Sequence, residues 1–226
     1  MTTIQANPAD ASDRQWRPDK GRFGILCFIL SECAFFLTLI IAFIFYIGKS
    51  QHGPMNFQVL DHGLVWINTI ALLSSSATVV IAVKQLEKGR LGLFKLWLFL
   101  TICLGVWFII GTGIEWYGLI YGDGLTIRTN LFGTTFYTLV GFHAFHVCLG
   151  LTCLSTVLVL SLADKVNSNL AQNVDILSWY WHFVDTVWIV VLVVVYYVGF
   201  YGSMQIAEET GRIQQEQKTA MVQEQN

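Results

Sequence analysis

Five long stretches of the chain are apolar almost without interruption, and polar segments separate them. A helix needs about 20 apolar residues to cross the ~30 Å hydrocarbon layer of a membrane, and each stretch is at least that long. The pattern therefore predicts an all-α integral membrane bundle of five transmembrane helices. The predicted spans are residues 23–47, 63–83, 96–121, 131–161 and 176–201.

Polar segments flank this predicted transmembrane domain, which covers residues 22–203. Residues 1–21 are polar and of mixed charge, and the tail of residues 204–226 is rich in Gln and Glu. The loops between the spans are short and leave no room for a soluble domain. The first span is too long for a cleaved signal peptide, so we expect it to remain in the protein.

The distribution of charge excludes one class of partner and predicts an orientation. The chain has 13 basic and 15 acidic residues and a formal net charge of −2, whereas a nucleic-acid-binding protein needs a basic surface. Nine Lys and Arg residues fall on the side of the bundle that holds the N-terminus, and four fall on the other side. The cytoplasmic side carries the excess, so the N-terminus is predicted in the cytoplasm and the C-terminus outside.

Six ionisable side chains lie inside the predicted spans, where each costs several kcal/mol unless it is neutral, paired or facing water. They are Glu32, Glu115, His143, His146, His182 and Asp185. No Lys or Arg lies in any span. The acids must therefore be protonated, hydrogen-bonded to histidine or hydroxyl groups, or paired across a subunit interface.

Helical spacing suggests that five of these side chains form one cluster. His143 and His146 lie one turn apart on the fourth span, as do His182 and Asp185 on the fifth. Glu32 and Asp185 both lie about 14 Å into their spans. A single hydrogen-bonded cluster of Glu32 with these four residues near the midplane is therefore geometrically possible.

Three interpretations of these residues compete. The first is interhelical hydrogen bonding that fixes the bundle. The second is haem or metal ligation, because imidazole nitrogen suits iron and copper. The third is proton handling, for which Glu32 is the best candidate.

The five cysteines form no close pair of the kind used by zinc sites and are interpreted as small packing residues. Trp179 and Trp181 lie near a predicted span end, where amphipathic rings favour the headgroup level.

Several motifs in a fixed order resemble subunit III of the haem-copper terminal oxidases, in particular the cytochrome c oxidase branch. They are Trp179-Tyr180-Trp181-His182-Phe183-Val184-Asp185, Gly141-Phe142-His143-Ala144-Phe145-His146-Val147, Ser31-Glu32, Glu115-Trp116-Tyr117 and Gly133-Thr134-Thr135-Phe136-Tyr137. Longer members of this family have seven membrane helices, and this chain resembles the five-helix form. The longer members build a lipid-binding cleft with two additional helices at the start of the chain. Without a counterpart of those two helices, such a cleft is in doubt here.

The resemblance implies a subunit of a proton-pumping cytochrome c oxidase, which reduces oxygen to water in the aerobic respiratory chain. Subunit III of this family is itself non-catalytic and carries no redox centre. Haem and copper are expected in partner subunits, and the chain supports assembly, stability and proton uptake of subunit I. Glu32 matches the carboxylate associated with carbodiimide reactivity and proton uptake. The other five ionisable residues match motif positions that we interpret as buried polar contacts.

The implied partners are subunit I as the main contact, subunit II, phospholipids, and cytochrome c as electron donor to the complex. The implied location is the inner membrane of a bacterial cell. Subunit III of a quinol oxidase is the first alternative, and a bis-histidine membrane cytochrome is a second. A secondary transporter is disfavoured, because no inverted repeat is found and no span contains a proline.

Overall fold

The computed structural model describes residues 20–49, 62–163 and 170–224, and its regular structure within these ranges is entirely helical. The helices are α1 (Lys20–Phe45), α2 (His62–Glu87), α3 (Leu91–Tyr117), α4 (Leu131–Leu162), α5 (Leu170–Leu192) and α6 (Phe200–Glu224). A π-helical turn at Gly118–Gly122 extends α3, and a second at Val193–Gly199 joins α5 to α6.

Five helical segments of the described chain are long and apolar enough to cross a membrane, which confirms the predicted fold class. The fifth runs without a break through α5, the π-helical turn and α6, from Gln172 to Gln223. The polar tail expected from residue 204 is therefore a continuation of the fifth helix. Most of the polar N-terminal segment lies outside the described residues. The side of the membrane that each terminus occupies stays a prediction.

The bundle is built around the pair α2 and α3, which pack against each other more extensively than any other two described helices. α3 contacts α4, α2 contacts α5, and α4 and α5 contact each other. α1 lies at the edge on α4 and α5, and Phe36 and Phe43 are its only buried side chains among those described. An ion pair of 2.9 Å between Arg22 and Asp175 joins the beginnings of α1 and α5.

Trp181 fills the centre of the bundle. It is fully buried, and its indole Nε1 donates a hydrogen bond of 2.9 Å to Ser75 Oγ on α2. A Cβ atom at Gly150 on α4 would lie 2.8 Å from the indole ring, and one at Gly105 on α3 would lie 3.0 Å from it. The two glycines therefore let the backbones of α3 and α4 approach one large ring. The prediction that Trp181 lies at the headgroup level is wrong.

The cysteines lie on the outside of the bundle. All five are exposed in the isolated chain, on α1, α3 and α4. Within the isolated chain they therefore contribute little to helix packing, and their interpretation as packing residues stays a prediction.

Candidate functional site: polar contacts between the membrane helices

The ionisable side chains inside the membrane do not form the single cluster that helical spacing suggested. Within the described chain they divide into three separate hydrogen-bonded groups and one histidine without a hydrogen-bond partner. Each group joins a different pair of helices. The prediction of one five-membered cluster is wrong, although all of its members do face neighbouring helices.

The first group is the pair of Glu32 on α1 and His146 on α4. Oε2 of Glu32 lies 3.2 Å from Nε2 of His146, and Nδ1 of the same ring lies 2.7 Å from the carbonyl oxygen of Phe142. A carbonyl oxygen only accepts, so Nδ1 carries a hydrogen atom and donates it. A hydrogen bond between the carboxyl group and Nε2 then requires one further hydrogen atom, carried by one of the two. The pair has no net charge whether that proton sits on oxygen or on nitrogen.

The surroundings of this pair are largely apolar. The rings of Phe36 and Phe145 meet the imidazole edge-on, with centroid distances of 5.1 and 5.7 Å. Tyr180 OH donates a hydrogen bond of 3.0 Å to the backbone carbonyl of His146. The Glu32 side chain is 21% exposed in the isolated chain and that of His146 only 8%. An apolar reagent can therefore reach the carboxyl group, whereas the imidazole is enclosed.

The second group is formed by Ser76 on α2 with His182 and Asp185 on α5. Ser76 Oγ lies 2.9 Å from Nδ1 of His182 and donates a hydrogen bond to Oδ2 of Asp185. Since the hydroxyl has one hydrogen atom, it accepts from the histidine while it donates to the acid. Asp185 is buried, and its second oxygen, Oδ1, has no partner in the described chain.

The third group is formed by Glu115 on α3 and Tyr196 in the π-helical turn. Tyr196 is buried, and its hydroxyl donates a hydrogen bond of 2.5 Å to Oε1 of Glu115. The contact lies near the end of the third span, where Trp116 packs edge-on against Tyr137 at 5.2 Å. It joins α3 to the segment that connects α5 with α6.

We expect that Tyr196→Phe lowers the free energy of unfolding by about 1–3 kcal/mol, because it takes away the hydrogen bond between a buried hydroxyl and a half-buried carboxyl group. The measurement is the thermal unfolding midpoint of the purified protein in detergent. Tyr197→Phe is the matched control, since the adjacent ring is 40% exposed and packs edge-on against Trp66. Equal midpoints for the two variants would contradict the structural role of the contact.

His143 stands apart from the three groups. The ring is fully buried, and neither ring nitrogen has a hydrogen-bond partner among the described residues. It stacks on Trp188 with a centroid distance of 5.0 Å and meets the edge of Phe108 at 5.9 Å. Trp188 in turn donates a hydrogen bond of 3.0 Å to Thr69 Oγ1. His143 therefore packs as an aromatic ring between α3, α4 and α5.

The sequence interpretation allowed for hydroxyl partners but did not identify the residues that supply them. Ser76 links His182 to Asp185, and Tyr196 bonds Glu115. Ser76 lies in the run Ser74-Ser75-Ser76-Ala77, and small residues of this kind are typical of close packing between membrane helices but indicate no particular partner. Among the described residues, no three His, Cys, Asp or Glu side chains assemble into a possible metal site.

The fold and its paired polar groups define a multi-pass membrane protein, in which five helical spans are joined by hydrogen bonds in the membrane interior. The family model for cytochrome c oxidase subunit III matches residues 17–200. The chain belongs to this family.

The alignments with similar proteins cover most of this chain and most of each relative. Cytochrome c oxidase subunit 3 of Bacillus subtilis (strain 168) is 35% identical over 187 residues, which are 81% of this chain and 89% of that protein. A probable cytochrome c oxidase subunit 3 of Nocardia farcinica is 31% identical, over 88% of this chain and 100% of that protein. Quinol oxidase subunit 3 of Bacillus subtilis is 30% identical, over 83% and 93% respectively. The chain is thus subunit III of a haem-copper oxidase and part of an oxidoreductase complex with other oxidase subunits.

Proposed function

We propose that this chain is the non-catalytic subunit III of a proton-pumping cytochrome c oxidase and that it supports assembly, stability and proton uptake of subunit I. The observation that carries the proposal is the pair of Glu32 and His146, because an acid and a base within hydrogen-bond distance on two apolar helices support a role in proton handling. Haem and copper belong to the partner subunits in this proposal, and oxygen reduction takes place there.

The Glu32–His146 pair suits a role in proton uptake for an electrostatic reason. A proton that moves between Oε2 and Nε2 over 3.2 Å leaves the net charge of the pair unchanged. It only converts a neutral pair into an ion pair, or the reverse. In this role the carboxyl group is the edge of the pair that can be reached from outside the bundle, and Nδ1 keeps the ring fixed on the Phe142 carbonyl. Loss of the histidine would leave the acid without its proton-sharing partner.

Cytochrome c is the proposed electron donor to the complex. The run Trp179-Tyr180-Trp181 and the Ser31-Glu32 segment support this choice, because they resemble the cytochrome c branch more than the quinol branch. Relatives named for both branches are about equally similar to this chain. Subunit III of a quinol oxidase is therefore the second candidate.

The experiment that tests the function is purification of the tagged chain in mild detergent from its native membrane, followed by a reduced-minus-oxidised spectrum and an oxygen-consumption assay. The proposal requires a larger polytopic subunit with haem and copper, and oxygen consumption with reduced cytochrome c. Consumption with quinol alone would place the complex in the sister branch. A haem band in a chain that purifies alone would favour the bis-histidine cytochrome.

The proposed location is a bacterial inner membrane, with phospholipid around the bundle, the N-terminus in the cytoplasm and α6 outside. The excess of Lys and Arg on the N-terminal side supports this orientation. We expect protease added to intact spheroplasts to cut α6 at Arg212 or Lys218, both of which lie on an exposed helix. Cleavage that requires broken membranes would reverse the orientation.

A further inference from the structure

The outward surface of α2 and α5 carries a polar group that the bundle itself does not satisfy. Six partly or fully exposed residues form this surface, which we name the α2–α5 face: Ile70, Leu73, His182, Thr186, Ile189 and Val193. Their spacing of three and four residues places those of each helix on one side. The ring contact of Trp66 with Tyr197 and the hydrogen bond of Ser76 with His182 join the two helices along it.

His182 is the polar group in question. Its Nδ1 is bonded to Ser76, and its Nε2 has no hydrogen bond to any described residue. The ring is half-buried, so it is not enclosed by the bundle. His182 lies six residues after position 176, where the predicted fifth span begins, and therefore about 9 Å into that span. This depth is inside the ~30 Å hydrocarbon layer, where water does not reach an unsatisfied ring nitrogen.

Lipid is a poor neighbour for this nitrogen. Acyl chains offer no hydrogen-bonding group, and a polar atom left without a partner in an apolar medium costs several kcal/mol. The neighbouring Thr186 hydroxyl cannot serve, since it donates to the backbone carbonyl of His182 at 2.8 Å. A second membrane helix with a polar side chain would satisfy Nε2, and the exposed Ile70, Ile189 and Val193 would pack around that contact.

We propose that the α2–α5 face is the surface against which a membrane helix of another oxidase subunit docks, and that this helix offers a hydroxyl or amide side chain to Nε2 of His182. The proposal rests on the chain working within an oxidase complex. In this proposal the group of Ser76, His182 and Asp185 orients the imidazole toward the partner helix. The Ser76 hydroxyl holds the ring, and the buried acid holds the hydroxyl. The outer face of α3, which carries the exposed Trp107, Ile110 and Ile114, has no such group and is expected to contact lipid.

The test is site-specific photo-cross-linking in the intact complex in native membranes. A photoreactive phenylalanine analogue is placed at Ile189 on the α2–α5 face and, as a matched control, at Ile110 on the outer face of α3. The two side chains are 43% and 56% exposed, so both positions accept a larger ring. We expect an adduct with another oxidase subunit from position 189 and only lipid adducts from position 110. Lipid adducts alone from position 189, or a subunit adduct from position 110 only, would overturn the proposal.

A second measurement tests the histidine itself. We expect His182→Leu to lower the fraction of this chain retained with the other subunits during detergent washing by about tenfold, the ratio that corresponds to one hydrogen bond. His182→Gln is expected to restore most of the retention, because its amide reaches a similar position. Thr152→Val on the exposed side of α4 is the control that stays at the wild-type level, because Thr152 makes the same kind of bond to its own helix, at 2.8 Å to the Cys148 carbonyl, and lies outside the α2–α5 face. Equal retention of the Leu variant would contradict the role of Nε2, and absence of oxidase subunits in the wild-type preparation would instead refute the proposed function.

Discussion

A hydrophobic carbodiimide is expected to label the purified chain at Glu32, and Glu32→Gln is expected to abolish this label. The reagent adds to a carboxyl group and gives a stable product where water is scarce. Glu32 lies in an apolar helix and its side chain is 21% exposed, so the reagent can reach it from the membrane. Loss of the carboxyl group removes the reactive group at this position, and the expected effect is therefore close to complete.

The measurement is the mass of the labelled peptide after digestion. Asp185→Asn is the matched control and is expected to keep the full label, because Asp185 is only 3% exposed and is bonded to Ser76. Labelling of Glu32→Gln at the wild-type level would show that another carboxyl group is the reactive one. The same preparation tests the pairing, since His146→Leu removes the base that shares the proton with Glu32 and is expected to change the rate of labelling.

Replacement of Trp181 by alanine is expected to lower the free energy of unfolding by about 3–5 kcal/mol, the range for removal of a large buried aromatic ring. The ring is fully buried, its Nε1 is bonded to Ser75, and the backbones of Gly105 and Gly150 lie against it. The measurement is the unfolding midpoint in detergent, together with the yield of assembled complex.

Two controls distinguish the loss of packing around Trp181 from the effect of replacing any tryptophan or any glycine. Trp107 on α3 is 57% exposed, so Trp107→Ala is expected to change the midpoint little. Gly150→Val forces a side chain into the indole ring, whereas a Cβ atom at Gly113 meets nothing within 4 Å, so Gly113→Val is expected to be mild. If Trp181→Ala and Trp107→Ala unfold at the same temperature, the ring is not the centre of the packing.

The spans were predictable because the membrane imposes both length and composition. The fourth predicted span, 131–161, agrees with the observed α4 to within one residue. The third begins five residues earlier than predicted, since a helix tolerates the single charge of Lys95 in its first turns. The fifth does not end where its apolar residues end, because Gln, Glu and Ala favour helix in water as well.

The sequence predicted which ionisable residues lie between the helices, but not which of them bond to each other. His143 and His146 do share one side of α4, but three residues correspond to 300° of rotation, which leaves the two rings about 60° apart. This difference directs His146 to Glu32 on α1 and His143 to Trp188 on α5. Spacing along one helix cannot show which neighbouring helix lies across from it. The roles of the six ionisable residues stay predictions until the variants are measured.

The long fifth helix has a consequence for the stability of the segment beyond the membrane. Residues 208–223 are all exposed, and a free peptide of this length would be a marginal helix, because the first turn is costly to form. Here the membrane span supplies the helical turns that start the helix, so each further turn of α6 only has to extend it. The helix then unwinds from the end farthest from the membrane, and Gly211 is the weakest point of propagation. Temperature and solvent, rather than tertiary contacts, set how far the ordered helix extends past residue 211.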